Sequence, residues 1–164
     1  MSLEIKNILV AKELTKESAQ VIRYALELGC KFHAQVHVLH VMPTVDPAVL
    51  NYVALSMGAD KLAKLNAENE SALAKQTREQ LHAMILEEAE LMEEELIHPP
   101  KVEVHHGEPA PMILSVADRV DADMIVLGSH NKGKLHYAFL GSVSRKILDK
   151  SHRTVVMVPP QVEH

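Results

Sequence analysis

The residues best suited to chemistry are glycines and small polar residues that follow an apolar run late in the chain. Residues 124–127 are uninterrupted by polar side chains, residues 128–131 read Gly-Ser-His-Asn, and a Gly-Ser pair stands at 141–142, nine residues later. Apolar residues then recur at helical spacing from Val143 onward. Backbone N–H groups of a glycine loop and of a helix N-terminus can bind an anion, and the helix dipole favours negative charge there. The pattern therefore predicts a phosphate site.

This loop resembles the nucleotide loop of the universal stress protein family, which reads G-x-x-G, nine residues, then G-S or G-T. Gly128 and Gly141 match that pattern, whereas Asn131 stands in the place of its second glycine. The resemblance covers nearly the whole chain, from Asn-Ile-Leu-Val at residues 7–10 to Thr-Val-Val-Met-Val at residues 154–158. It implies an adenine nucleotide as ligand, ATP or AMP, with or without Mg²⁺.

The resemblance also implies where each part of the nucleotide binds. Glu13 stands where the family usually has an Asp that binds the adenine and ribose, and it reaches one methylene further. Val41 matches the residue whose backbone contacts adenine, and the phosphate contacts fall on the glycine loop and the helix after it. The implied nucleotide-binding residues are Ala11, Lys12, Glu13, Val41, Leu127, Gly128, His130, Asn131, Gly141, Ser142 and Val143.

Asn131 leaves two interpretations open. Asparagine tolerates the left-handed backbone region better than most residues other than glycine, so the loop could keep its shape. The Asn131 amide could donate to a phosphate oxygen, or its side chain could fill the phosphate space. In the second case the chain is a nucleotide-free dimeric scaffold that acts through protein contacts.

The sequence shows no catalytic set beside the loop. It contains no G-x-S-x-G elbow and no Walker loop ending in Lys-Ser or Lys-Thr. We therefore expect at most slow ATP hydrolysis, and an ATPase or kinase is a third interpretation. The eleven histidines suggest a metal site, but His105 and His106 are adjacent on a strand and point to opposite faces. We predict no metal site.

Strand and helix patterns alternate along the chain and predict the elements that position the loop. The predicted strands are residues 5–11, 35–41, 102–106, 124–127 and 154–158, with about four helices between them, and residues 102–106 alternate between apolar and polar side chains. This order predicts an α/β fold, a doubly wound, mainly parallel five-stranded sheet with helices on both faces, in a single domain over residues 1–164. The resemblance likewise implies a Rossmann-like, adenine nucleotide alpha hydrolase-like fold.

Three details of the helices are predicted as well. Gly29 is expected to cap the C-terminus of the first helix. Residues 59–97 lack Gly and Pro and predict one long helix, whose apolar stripe includes Leu65, Leu73 and Leu81 and whose acidic end frays or faces solvent. Residues 42–58 form either a partly helical lid over the loop end of the sheet or a plain connection.

Composition limits the class of protein and its partners. The net charge of −5 argues against a nucleic-acid surface, and no run approaches the ~20 apolar residues of a membrane-spanning helix. Cys30 is the only cysteine, which fits a reducing cytoplasm, and its apolar neighbours indicate a small core residue rather than a redox group. No signal peptide is evident at the N-terminus, so we expect a cytoplasmic location.

The short apolar strand at residues 154–158 is expected at a sheet edge, where it can pair with another chain. The family resemblance implies a homodimer through this strand. It also implies a stress-response regulator that acts on an unidentified protein partner.

Overall fold

The computed structural model describes residues 2–11, 18–128 and 141–159. These residues form one five-stranded sheet in the order β3-β2-β1-β4-β5, and every neighbouring pair of strands is parallel. The strands are β1 at Asn7–Ala11, β2 at Gln35–Met42, β3 at Lys101–His106, β4 at Met124–Gly128 and β5 at Thr154–Val158. The predicted fold class is confirmed, although β1 begins two residues later than expected.

Helices cover both faces of the sheet. They are α1 at Ser18–Phe32, α2 at Pro47–Met57, α3 at Ala59–Glu90, α4 at Pro109–Arg119 and α5 at Ser142–Lys150. Buried side chains of α1 and α3 share one core with alternate residues of β1 and β2, and those of α4 and α5 share a second core with the others. The described residues thus contain one helix more than predicted, because residues 47–57 form a helix of their own.

The central strands explain why the sheet holds together. Ile8 and Val10 of β1 point into the first core and Leu9 into the second, and all three are fully buried. Strand β4 is buried in the same way, as its apolar run without polar alternation predicts. Burying a side chain of this size contributes about 1.5–3 kcal/mol, so this central pair of strands is a main source of stability.

Strand β3 is an edge strand whose two faces differ, as its alternating sequence predicts. Val102 and Val104 pack against the first core, while Glu103 on the opposite face accepts hydrogen bonds from His105 and Arg119. Burial raises the pKa of Glu103, but the hydrogen bonds from His105 and Arg119 outweigh it and hold that pKa below its ordinary value. Glu103 therefore ties β3 to α4 as a carboxylate.

The predicted end of the long helix at residue 97 is wrong, because α3 ends at Glu90. The chain beyond it turns across α1, where the Leu91 carbonyl accepts a hydrogen bond from Arg23 and Glu94 forms a 2.8 Å ion pair with Lys31. Cys30 is buried there, and its thiol donates to the Glu94 carbonyl at 3.8 Å. Contacts with α1 and an unfavourable acidic helix end together stop the helix.

The predicted apolar stripe of α3 is only half correct. Leu81 is fully buried, whereas Leu65 and Leu73 remain 45% and 50% exposed. No residue of α3 before Thr77 is buried, so the sheet supports only the second half of this helix. The first half carries an apolar pattern without a core to cover it.

The prediction that Gly29 caps α1 is also wrong. Gly29 lies inside the helix, and a Cβ atom there would approach Val36 Cγ2 to 2.5 Å. The cap is His33, whose φ of 54° is left-handed, and the Ala34 N–H bonds the Gly29 carbonyl at 2.9 Å to close the turn. Gly29 is required because α1 approaches β2 closely, a tertiary contact that helix spacing does not show.

These contacts predict opposite effects of two substitutions. His33→Gly should raise the free energy of unfolding by about 0.5–1 kcal/mol, because the strain of a left-handed residue exceeds the entropy that glycine loses on folding. Gly29→Ala should lower it by roughly 1–3 kcal/mol through overpacking against Val36. Urea denaturation of both variants measures the difference. Helix propensity alone would make Gly29→Ala stabilising, so that result would contradict the close contact.

A second prediction concerns His37, which is buried on β2. Its Nε2 bonds Asn7 Oδ1 at 3.2 Å, while Nδ1 is buried without a partner among the described residues. Burial lowers the pKa of His37, and the positive charges of Lys101 and Arg119 lower it further against the opposing effect of Glu103. Because the folded pKa lies below the unfolded one, folding excludes a proton, and this stability is present above the unfolded pKa and lost as pH falls below it.

Urea denaturation at neutral pH and near pH 5 measures this loss. His37→Gln stays neutral, so it should lose less stability than the original protein over the same interval. His98→Gln, at an exposed histidine, is the matched control and should follow the original protein. Equal losses in all three proteins would show that His37 carries no pH dependence.

Candidate functional site

The order of the strands reverses between β1 and β4, and this reversal creates a crevice. The chain leaves β1 for β2 and β3 on one side, then returns to place β4 on the other side of β1. Ala11 at the end of β1 lies opposite Leu127 of β4. The helix after β1 packs on one face of the sheet and the helix after β4 packs on the other. Such a divergence is where doubly wound sheets bind ligands.

Strand β2 extends this edge beyond β1. Ala11 pairs with Leu39, so Val41 and Met42 continue past the last pair of β1 and β2. Val41 is partly buried against the second core, where it presents an apolar side chain near the crevice. The backbone of β2 beyond Leu39 therefore forms one wall of the site.

The N-terminus of α5 forms the other side. Helix α5 follows β4 and precedes β5, and since these strands are parallel the helix must begin at the carboxyl edge. Its N-cap is Gly141, and no side chain in the described part of the chain caps it. The first bond back to the Gly141 carbonyl comes from Arg145, so the N–H groups of Ser142 and Val143 have no partner inside the helix. Together with the helix dipole they can hold an anion.

Gly141 itself is not required by the fold around it. Its φ of −59° and ψ of 161° suit any residue, and a Cβ atom there would meet no described atom within 4 Å. The residue is exposed, as is Ser142 after it. Among the described residues, a glycine at this position leaves open space in front of two N–H groups that have no partner within the helix, where a ligand can approach the backbone.

The charges near α5 are only partly available to a ligand. Lys146 forms an ion pair with Glu108, with 3.4 Å between Nζ and Oε1. Both side chains are more than half exposed, so this pair contributes at most about 1 kcal/mol to stability. The pair links α5 to the start of α4, and it partly neutralises the Lys146 charge.

The structure places seven of the residues implied for nucleotide binding. Three come together at the ends of the central strands, Val41 lies on β2 beside them, and the remaining three begin α5: Ala11, Leu127, Gly128, Val41, Gly141, Ser142 and Val143. Lys12, Glu13, His130 and Asn131 lie outside the described residues. The roles of all eleven residues stay predictions.

A second concavity was not expected from the sequence. It has a volume of about 310 Å³ and lies between α1 and residues 91–94, where Arg23, Lys31 and Met92 line it beside Cys30. Burial raises the pKa of the Cys30 thiol, and Glu94 and Glu27 add to this effect, so the thiol stays protonated. The concavity is formed partly by the irregular chain after α3, and sequence periodicity does not predict the path of that chain.

Two further features are absent from the described residues. No group of three histidine, cysteine or carboxylate side chains among them could hold a metal ion. No helix in the part of the chain that the structure describes is long and apolar enough to cross a membrane.

The sequence is similar to that of several stress proteins. It is 28% identical to the stress response protein NhaX of Bacillus subtilis, over 92% of this chain and 96% of the relative. It is also 28% identical to the universal stress protein Sll1388 of Synechocystis, with the same coverage of both chains.

Solved structures share the fold. The protein MJ0577 superposes with a TM-score of 0.73 at 19% identity, covering 98% of this chain and all of the other. A universal stress protein in complex with cAMP superposes with a TM-score of 0.57 at 16% identity, over 97% of this chain and all of the other. The universal stress protein from Archaeoglobus fulgidus in complex with dAMP superposes with a TM-score of 0.50 at 21% identity, over 94% of this chain and 98% of the other.

The universal stress protein family model matches residues 4–159, which include all five strands and the crevice between β1 and β4. The resemblance first noted in the glycine loop is therefore confirmed at the level of the family. The chain belongs to the universal stress protein family.

Proposed function

We propose that this protein is a cytoplasmic stress-response regulator that binds an adenine nucleotide, ATP or AMP, in the crevice between β1 and β4. The observation that carries the proposal is the N-terminus of α5, where no side chain of the described residues caps the helix and Gly141 adds no side chain in front of two N–H groups. Two structural relatives are described as complexes with cAMP and dAMP, which supports an adenine nucleotide as the class of ligand.

The two ends of the crevice suit the two ends of such a ligand. Val41 offers an apolar side chain, and the β2 backbone beyond Leu39 has no β1 residue paired with it, which together suit the flat, weakly polar adenine ring. The N–H groups of Ser142 and Val143 and the Ser142 hydroxyl suit phosphate. Gly128 lies at the end of β4, between these two walls. In this proposal Glu13 binds the ribose, and Asn131 faces the phosphate.

The proposed role is binding rather than catalysis. Backbone N–H groups and one hydroxyl can hold a phosphate without activating water to attack it, since that step needs a positioned general base. Any ATP hydrolysis should therefore be slow. If Mg²⁺ accompanies ATP, phosphate oxygens and water would supply most of its ligands, as is usual for this ion.

We also propose a homodimer through β5. This strand is confirmed at the edge of the sheet, so one side of its backbone has no neighbouring strand among the described residues. Its middle residues Val155, Val156 and Met157 are only partly buried. Pairing with the same strand of a second copy would extend the sheet along this edge and cover these side chains. If no nucleotide binds, this dimer is the scaffold of the alternative function.

Substitutions at the start of α5 test the nucleotide site. Gly141→Val should weaken ATP binding more than Ser142→Ala does, because its side chain enters space that the phosphate needs. Ser142→Ala should weaken the binding free energy by ~1.5–3 kcal/mol, because it removes one hydrogen bond to a charged group. Both positions are exposed, so both variants should fold normally, which thermal denaturation checks. Calorimetry with ATP, AMP and GTP measures the affinities.

A control variant separates this site from general charge effects. Lys150→Ala lies at the other end of α5 and should leave the affinity unchanged. Asn131→Gly distinguishes the two roles of Asn131, since binding strengthens if the side chain only fills space and weakens if its amide donates. If the original protein binds no adenine nucleotide at millimolar concentration while Asn131→Gly does, the scaffold function replaces the nucleotide function.

The β5 dimer is tested by a charge at the sheet edge. Val156→Lys should halve the mass measured by sedimentation equilibrium, because a lysine on an edge strand disfavours pairing with another strand. Leu86→Lys places the same charge on an exposed residue of α3 and should keep the original mass. A strict monomer at micromolar concentration in the original protein would contradict the dimer.

A further inference from the structure

Helix α2 carries apolar side chains on all sides, yet none of its residues is buried. Leu50 and Val53 are partly buried on one side, while Val49, Tyr52 and Leu55 are 53%, 78% and 88% exposed. Its eleven residues include no charged side chain. A helix that is apolar all round is normally covered on all sides, so the described residues of a single copy leave part of α2 uncovered.

The first half of α3 also carries exposed apolar side chains. Helix α2 packs against α3, and together they form a helical hairpin. Leu65, Asn69, Leu73 and Gln76 recur at spacings of three and four and make an uncharged stripe along α3. We call the exposed side chains Val49, Tyr52, Leu55, Leu65 and Leu73 the hairpin surface.

We propose that the hairpin surface is an interface that packs against the same surface of a second copy of this chain. This contact is separate from β5, because α2 follows β2 on one side of the central strand and β5 is the edge strand on the other side. One copy can therefore use both surfaces at once. Two different two-fold contacts would then join four copies into a tetramer.

The size of the hairpin surface suits an association between copies. From helix dimensions, a face about 25 Å long and two helices wide, ~20 Å, has an area on the order of 500 Å². This area is somewhat below the ~800 Å² per partner of a standard interface, so we expect a reversible contact of modest affinity.

The charges on the hairpin favour a copy of itself as the partner. Residues 47–76 contain three lysines and three acidic residues, so this segment is neutral in a chain of net charge −5. Two hairpins can approach without net repulsion, whereas the rest of each chain repels its copy. A strongly basic partner or an anionic membrane would find no matching net charge on this segment.

The order of charges beside the stripe is also self-complementary. Lys61, Glu68 and Lys75 follow one another at intervals of seven residues and so lie on one side of α3 with alternating sign. A two-fold contact between antiparallel α3 helices can set Glu68 opposite Lys75 of the second copy. Symmetry then repeats the pair in the reverse direction. The uncharged stripe lies beside this row of charges.

A charge on α2 tests the proposal. Leu55→Lys should halve the mass measured by sedimentation equilibrium at micromolar concentration. Leu86→Lys is the matched control, since Leu86 is also exposed but lies outside the hairpin surface, and it should keep the original mass. Both variants should melt within a few degrees of the original protein, because exposed substitutions rarely change stability by more than about 0.5 kcal/mol.

Combining Leu55→Lys with Val156→Lys in one protein separates the effects of the two surfaces. If both contacts form, either variant alone halves the mass and the double variant is a monomer. If only the hairpin contact forms, Val156→Lys changes nothing and Leu55→Lys gives a monomer. An unchanged mass for Leu55→Lys in both backgrounds overturns the hairpin contact, whatever the result for β5.

Cross-linking locates the contact. Tyr52→Cys introduces an exposed thiol on the hairpin surface, while Cys30 is buried and its raised pKa keeps it unreactive. A short bismaleimide should join two copies of Tyr52→Cys. Ser71→Cys, on a side of α3 away from the stripe, should give no cross-linked pair. Equal cross-linking of both variants, or none of Tyr52→Cys, would overturn the proposed geometry.

Discussion

The parallel pairing of β1 with β4 is the constraint on which the other features depend. These two strands are buried on both faces, so their register cannot slip without moving apolar side chains out of two cores at once. The chain leaves them toward opposite faces of the sheet. A crevice must then open at their carboxyl ends, whatever residues line it. The site is thus a consequence of topology first and of side chains second.

The anion-binding end of the crevice depends on how α5 is held. Ile147 is fully buried in the second core and fixes the helix against the sheet, although α5 has only nine residues. Anchoring in the middle of the helix leaves its N-terminus at the edge, where no described residue packs against the Cβ position of Gly141. The backbone angles of Gly141 suit any residue, so the described part of the fold does not require glycine there.

Sequence patterns predicted most of the sheet because buried strands carry their signal locally. The strand at residues 154–158 has the expected bounds, and β2 differs by one residue at its end. The wrong predictions concern features that depend on tertiary contacts. Gly29 is required by Val36 on another element, and α3 stops where the chain after it can bind α1. Leu65 follows the same periodicity as buried leucines, but periodicity cannot show how far the core extends.

The positions of some candidate site residues could be predicted from the sequence, and those of others could not. The ends of β1 and β4 and the start of α5 follow from strand order and helix spacing, so Ala11, Leu127 and Gly141 could be placed beforehand. Glu13 and Asn131 lie outside the described residues, and what they do depends on side-chain positions that no pattern fixes. The exposure of α2 could have been suspected from its lack of charge, but an uncharged segment predicts burial equally well until the core around it is known.

The crevice and the hairpin share one edge of the sheet, and this gives a physical route between them. Strand β2 ends at Met42 and α2 begins at Pro47, so four residues connect the proposed adenine wall to the hairpin. Asp46 fixes this joint by accepting a 2.9 Å hydrogen bond from the Ala48 N–H. A ligand that changes the position of the end of β2 would move α2 with it. Any effect of nucleotide on association must then be matched by an equal effect of association on nucleotide affinity, because linkage between two binding events is reciprocal.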